Sequence, residues 1–150
     1  MQRKILFLFS RRLSLPAKIS WFAMEVPSFL ISLTAILHLI ILGDYVRLFL
    51  LLPFTIHYFN RSIIYPLTLK NGKPFPVISS GSAFVFTLWN GLMQSHFIVN
   101  ILDVESLSLV MSFSGIIIFS YGMFINIQVR IDRTESMKIY RYLIIHLFPV

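Results

Sequence analysis

An all-α fold, a polytopic transmembrane bundle of about four helices, is what this sequence predicts, on three observations. Of 150 residues, 57% are hydrophobic and 13% charged, with mean hydropathy +0.80. A soluble domain carries about a quarter charged residues. The shortfall, together with 15 Phe, points to lipid as the solvent, because a lipid-facing helix needs no polar side. Second, four apolar stretches each approach the ~20 residues that cross a ~30 Å hydrocarbon core. Third, the bases flanking those stretches alternate in number, as the positive-inside rule requires of four helices with both termini cytosolic.

The elements follow in order. Residues 1–20 form a basic membrane-surface leader with Arg3, Lys4, Arg11, Arg12 and Lys18. Its apolar run, residues 5–9, is shorter than the roughly 7–15 residues of a signal-peptide core. The first span is 21–42, stopped by Gly43, Asp44 and Arg47. The second runs from Leu48 to about Leu69 and contains Pro53, His57, Asn60, Arg61 and Pro66. Lys70-Asn71-Gly72-Lys73-Pro74-Phe75-Pro76 is a turn. The third span covers about 77–102, the fourth 106–127, so the bundle is 21–127. Residues 128–150 form a divergent basic tail with Arg130, Arg133, Lys138 and Arg141. Between the third and fourth spans stand only the acids Asp103 and Glu105. These uninterrupted runs lack the alternation of a β-barrel.

Several function classes are excluded. No Cys is present, so there is no disulfide framework or thiolate zinc site. The net charge of +7 comes with no zinc-finger, RRM or helix-turn-helix pattern, and nucleic acid is not an expected partner. There is no Gly-rich phosphate loop and no Gly-x-Ser-x-Gly elbow. His57 has no spaced His or carboxylate partners, so no metal is expected; it reads as a hydrogen-bonder in a helix seam. Asn60-Arg61-Ser62 fits the glycosylation pattern but lies within a span.

Polar residues in a span cost energy unless they face protein or water. At ~100° per residue, Trp21, Glu25, Ser28 and Ser32 share one face of the first helix. Phe54, Tyr58, Arg61 and Tyr65 share one face of the second. Ser80, Thr87, Gly91 and Gln94 align in the third, and Ser112, Gly115, Gly122 and Asn126 in the fourth. Small and hydroxyl residues let helices pack closely, which is one reading of these stripes. For Glu25 and Arg61 two readings stand: a site, the default for intramembrane ionisable groups, or an ion pair that only joins helices.

The motifs carry a resemblance. Trp21-Phe22-Ala23-Met24-Glu25-Val26-Pro27-Ser28, His57-Tyr58-Phe59-Asn60-Arg61-Ser62-Ile63-Ile64-Tyr65-Pro66, Asn71-Gly72-Lys73-Pro74-Phe75-Pro76, Asn90-Gly91-Leu92-Met93-Gln94 and Gly122-Met123-Phe124-Ile125-Asn126-Ile127 resemble, in the same order, segments of the steroid 5-alpha-reductase family. The resemblance implies a seven-helix enzyme of the endoplasmic reticulum membrane. Such an enzyme reduces the 4,5 double bond of 3-oxo-Δ4-steroids with NADPH. It matches Glu25 and Tyr58 to the pair that holds the steroid 3-oxo group, and Asn126 to a position on the cofactor side. Trp21 and Phe86 are expected to line the steroid slot, with Arg61 beside them. Glu25 and Tyr58 are expected to face one another across staggered helices.

The sequence departs from the family in places. Met24 stands where the family has Gln, and 129–150 matches none of its cofactor-binding stretch. The chain therefore reads as a fragment, truncated isoform or gene-model variant with little turnover alone. Two alternatives are an inactive bundle that binds steroid or a full-length partner, and a small transport or scaffold protein. Partners are a steroid or related lipid substrate and membrane lipid, with no partner protein identified. The topology predicts that single cysteines at Ser14, Asn71 and Ser136 label from one side of the membrane and those at Gly43 and Asp103 from the other. Labelling of positions 43 and 71 from the same side contradicts it.

Overall fold

The structure, a computed structural model, describes the backbone of residues 13–70 and 72–147, and side chains only as far as 131. The leader bases Arg3, Lys4, Arg11 and Arg12, the turn residue Asn71, and the side chains of Arg133, Lys138 and Arg141 lie outside the described residues. The chain is all-α apart from one small clasp. Helix α1 spans Ala17–Leu42 and α2 Tyr45–Phe59. A π-helical turn, Asn60–Ile64, continues α2 into α3, Tyr65–Thr68. Helix α4 is Val77–His96, extended by a second π turn, Phe97–Ile101, and α5 is Leu109–Leu147. Strands β1 (Ser14–Leu15) and β2 (Phe75–Pro76) pair antiparallel, Ser14 opposite Pro76. Contacts divide the chain into two compact units, Met1–Ser106 and Leu107–Val150.

In the first unit the clasp brings together the starts of α1 and α4, which run in the same direction. Ser28 Oγ donates to the Thr87 carbonyl at 2.5 Å, and Thr87 Oγ1 donates to the Met24 carbonyl. Opposite this pair sits Gly91, where a Cβ would lie 2.8 Å from Ser28 Cα. Hydroxyls and a glycine thus let two backbones touch, the way helices associate where no hydrophobic drive separates lipid from protein. Helix α2 runs back against α1. Phe29 meets Phe59 at 5.6 Å and Trp21 meets Tyr65 at 4.8 Å between ring centroids.

The turn between α1 and α2 is built from three residues. Gly43 takes φ +70, open to it because it has no Cβ. Its N–H donates to Ile40 O and that of Asp44 to Leu39 O, a Schellman closure that satisfies the last carbonyls of α1. Asp44 then caps α2 by accepting from Arg47 N–H at 3.1 Å. Arg47 bonds the same carboxylate at 2.5 Å and the Leu102 carbonyl at 2.9 Å, tying the turn to the end of the second π turn. The Arg47 hydrogen bonds hold the Asp44 carboxyl below its ordinary pKa. Above this turn, Leu39 and Leu51 are buried with Ile36, against Ile98 and Val99.

The expected order of helices is present, with four differences. Helix α1 starts at Ala17, four residues inside the predicted leader. The second span is not uniformly α-helical. Tyr65 N–H reaches back to Asn60 O, because Pro66 has no N–H to continue the α pattern and Ser62 Oγ takes the Tyr58 carbonyl at 2.6 Å. On α4 it is Ser95, not Gln94, that is buried. The seam follows four-residue steps through 87, 91 and 95, the i±4 ridge by which helices commonly interdigitate, and 94 points ~100° away from 95. The helix predicted to end at 127 continues to Leu147.

Much of the outer surface is apolar: Ile41, Ile78, Val110 and Met111 are all largely exposed. Ala17–Leu42 and Leu109–Ile131 are each long and apolar enough to cross a membrane. The α1–α4 contact makes a direct prediction. Gly91→Ala lowers stability by about 1–3 kcal/mol, the usual cost of overpacking, since its Cβ meets backbone. Gly81→Ala, with nothing within 4 Å, does not. Thermal unfolding in detergent checks the pair.

Candidate functional site

Four helical pieces of the first unit bring polar side chains to one seam. Trp21 and Glu25 stand one turn apart on α1. Glu25 is 5% exposed. Arg61, in the π turn, donates through Nη2 to Glu25 Oε1 at 2.5 Å. The Arg61 side chain is 40% exposed, so its stem packs while its outer edge remains accessible. Its guanidinium carbon lies 5.2 Å from the Trp21 ring centroid, within cation–π range. Tyr65 from α3 and Phe75 from β2 meet Trp21 edge-on at 4.8 and 5.9 Å. The aromatic collar fixes the indole, and the indole and carboxylate together fix the guanidinium.

Tyr58 sits one turn before Arg61, at the end of α2, and is 8% exposed. Phe54 packs on its ring at 4.7 Å and His57 meets it edge-on at 5.3 Å. Its hydroxyl oxygen accepts from Asn90 Nδ2 of α4 at 2.8 Å. Tyr58 and Glu25 are thus both buried where α1, α2 and α4 meet. The bond each makes goes elsewhere, Glu25 to Arg61 and Tyr58 to Asn90.

No protein-family model matches the chain. Individual proteins do. The chain is 36% identical over 122 residues to 3-oxo-5-alpha-steroid 4-dehydrogenase 2 of Sus scrofa, covering 76% of this chain and 46% of that protein. It is 38% identical over 118 residues to the enzyme of the same name from Rattus norvegicus, with 76% and 46% covered. To steroid 5-alpha-reductase DET2 of Gossypium hirsutum it is 33% identical over 121 residues, with 73% and 45% covered. The chain belongs to the steroid 5-alpha-reductase family. It spans about half the length of the curated relatives it matches.

Within this reductase-family seam the structure brings together Trp21, Glu25 and Arg61 by direct contact, with Tyr58 beside them. It does not bring Phe86 there. Phe86 is 67% exposed, because its neighbour Thr87 faces α1 and successive helical residues point ~100° apart. Asn126 is an exposed residue of α5, in the second unit. Asn90 is the residue that sequence reasoning left out of the site. Its signal was present, since it stands three residues after Thr87 and so on nearly the same face.

Among the described residues no group of three His, Asp or Glu could hold a metal ion. Arg47 and Arg61, the two arginines described in the first unit, are each paired with a carboxylate. In each pair the carboxylate takes part of the guanidinium's donor set.

The ion pair predicts a coupled response. A fully buried pair broken at one partner costs about 3–5 kcal/mol, an exposed one about 0–1. Arg61→Met, at a half-exposed arginine, is expected between these at about 1–3 kcal/mol. The Glu25→Gln/Arg61→Met double variant recovers part of that loss, because no carboxylate is left unpaired. Thermal unfolding of the single and double variants in detergent measures the coupling; additive losses contradict it.

Proposed function

We propose that the chain binds a 3-oxo-Δ4-steroid in the α1–α2–α4 seam and polarises its ketone through Tyr58, as part of reducing the 4,5 double bond. It does so as a multi-pass protein of the endoplasmic reticulum membrane with both termini cytosolic. The observation that carries this reading is the placement of the Tyr58 hydroxyl and the Glu25 carboxyl in one buried seam, in a chain 31–38% identical to steroid reductases. Four helical stretches separated by alternating basic counts support the topology.

The chemistry needs a donor at the ketone. A hydrogen bond to the 3-oxygen draws electron density from C5 through the conjugated double bond and makes C5 electrophilic. One preorganised donor of this type is worth about 10²–10³ in rate when water is excluded. Tyr58 supplies it from a buried position beside Phe54, His57 and Asn90. Glu25 has Oε1 held by Arg61, which orients the carboxyl. Trp21 and its aromatic neighbours supply a flat apolar wall beside the pair. NADPH is the hydride donor that the resemblance implies.

The test is binding of a radiolabelled 3-oxo-Δ4-steroid to the chain in lipid nanodiscs. Tyr58→Phe is expected to weaken binding about tenfold, the worth of one hydrogen bond of ~1.4 kcal/mol. Unchanged affinity in Tyr58→Phe removes Tyr58 from the site.

A further inference from the structure

The Tyr58 hydroxyl is used on one side only. Its oxygen accepts from Asn90 Nδ2 at 2.8 Å, and among the described residues no oxygen accepts its proton. A phenol is both donor and acceptor, and its O–H lies in the ring plane in one of two directions. A donor seated at one of those directions leaves the proton the other. Asn90 is itself held. Its neighbours Thr87 and Gly91 are locked on α1 by the Thr87–Met24 and Ser28–Thr87 bonds and by backbone contact at Ser28. Helix α4 therefore cannot turn Asn90 away from Tyr58 without breaking that contact.

We infer that Asn90 is a positioning residue that makes Tyr58 an obligate donor, and that this selects a ligand with a carbonyl over one with a hydroxyl at the same position. The inference rests on the proposal that a 3-oxo-steroid meets Tyr58. With its acceptor side filled by the amide, Tyr58 offers the ligand only a proton. A ketone oxygen takes that proton and has none of its own to place. An alcohol can take it too, but its own O–H is then refused by Tyr58, and a buried donor left unbonded costs affinity. Asn90 reads the oxidation state of the ligand without touching it.

The experiment uses the chain in nanodiscs and compares wild type, Asn90→Leu, Asn90→Asp and Tyr58→Phe, each first shown to keep its helical circular dichroism. The readout is the ratio of affinities for a 3-oxo-Δ4-steroid and its 3β-hydroxy counterpart. Glu25 is the same in all four, so its contribution cancels in the comparison. Wild type is expected to favour the ketone about tenfold. Asn90→Leu frees the phenol to rotate and brings the ratio near one. Asn90→Asp, which accepts the phenol proton, turns the Tyr58 lone pairs toward the ligand and favours the alcohol. A ratio that changes in Tyr58→Phe but in neither Asn90 variant overturns the inference and leaves the steroid site standing. Wild type that binds neither steroid overturns the proposed site instead. A ligand-free arm then still decides the role of Asn90. The ¹³Cζ resonance of labelled Tyr58 is expected to move downfield in both variants and further in Asn90→Asp, because losing a donor at the phenol oxygen and gaining an acceptor for its proton both raise the electron density on that oxygen. An unmoved resonance in both overturns the inference.

Discussion

Two reciprocal hydrogen bonds, Ser28 to Thr87 and Thr87 to Met24, hold α1 against α4 with only Gly91 between their backbones. The rest of the seam depends on that contact. It sets the rotation of α1, which turns Glu25 inward, and the rotation of α4, which turns Asn90 toward Tyr58. Side chains at the contact are too small to slide past one another without losing hydrogen bonds or colliding with backbone. In lipid such contacts replace the hydrophobic drive of a soluble core. This explains why the interior holds so many hydroxyls: Ser20, Ser28, Ser32 and Ser62 are all fully buried.

Against this rigid pair, α2 contributes the chemically versatile groups, and it does so through an irregular turn. The π turn at Asn60–Ile64 lies between Tyr58 and Tyr65. It places Arg61 over Trp21 and against Glu25. Single π turns are frequent at functional sites because they re-aim one side chain without ending the helix. Here the re-aimed residue carries the charge that meets the buried carboxylate. One such pair is a weak source of net stability, and a purely apolar seam would hold the helices as well.

The sequence made the four helical stretches legible because apolar length and turn residues are local signals. Gly43-Asp44 and Lys73-Pro74 mark turns with no knowledge of the fold. The 4-3-4 spacing of Trp21, Glu25, Ser28 and Ser32 picked out the inward face of α1, since that helix is regular along the whole stretch. The same spacing on the second helix could not show that Asn60–Ile64 widens, because the cause lies in competition among Ser62, Tyr58 and Pro66 for backbone groups. Gln94 was taken as inward where Ser95 is, because the seam on α4 follows the four-residue steps 87, 91 and 95 rather than the 4-3 alternation that leads to 94. Asn90 stood near the Thr87 face, but that spacing alone did not mark it as part of the site. Its importance comes from a partner 32 residues away, Tyr58, and no pattern within one helix reports a bond between two.

Tyr58 presents an unspent proton in a buried seam, and the proposed function has a ketone oxygen complete it. The most direct measurement is an experimentally determined structure of the chain in lipid with a 3-oxo-Δ4-steroid bound. The account predicts the steroid 3-oxygen at hydrogen-bond distance, ~2.7 Å, from Tyr58 Oη, with Asn90 Nδ2 still on the same Oη from the other side. A steroid bound elsewhere, or a Tyr58 hydroxyl donating to a protein oxygen while the ligand is present, contradicts it.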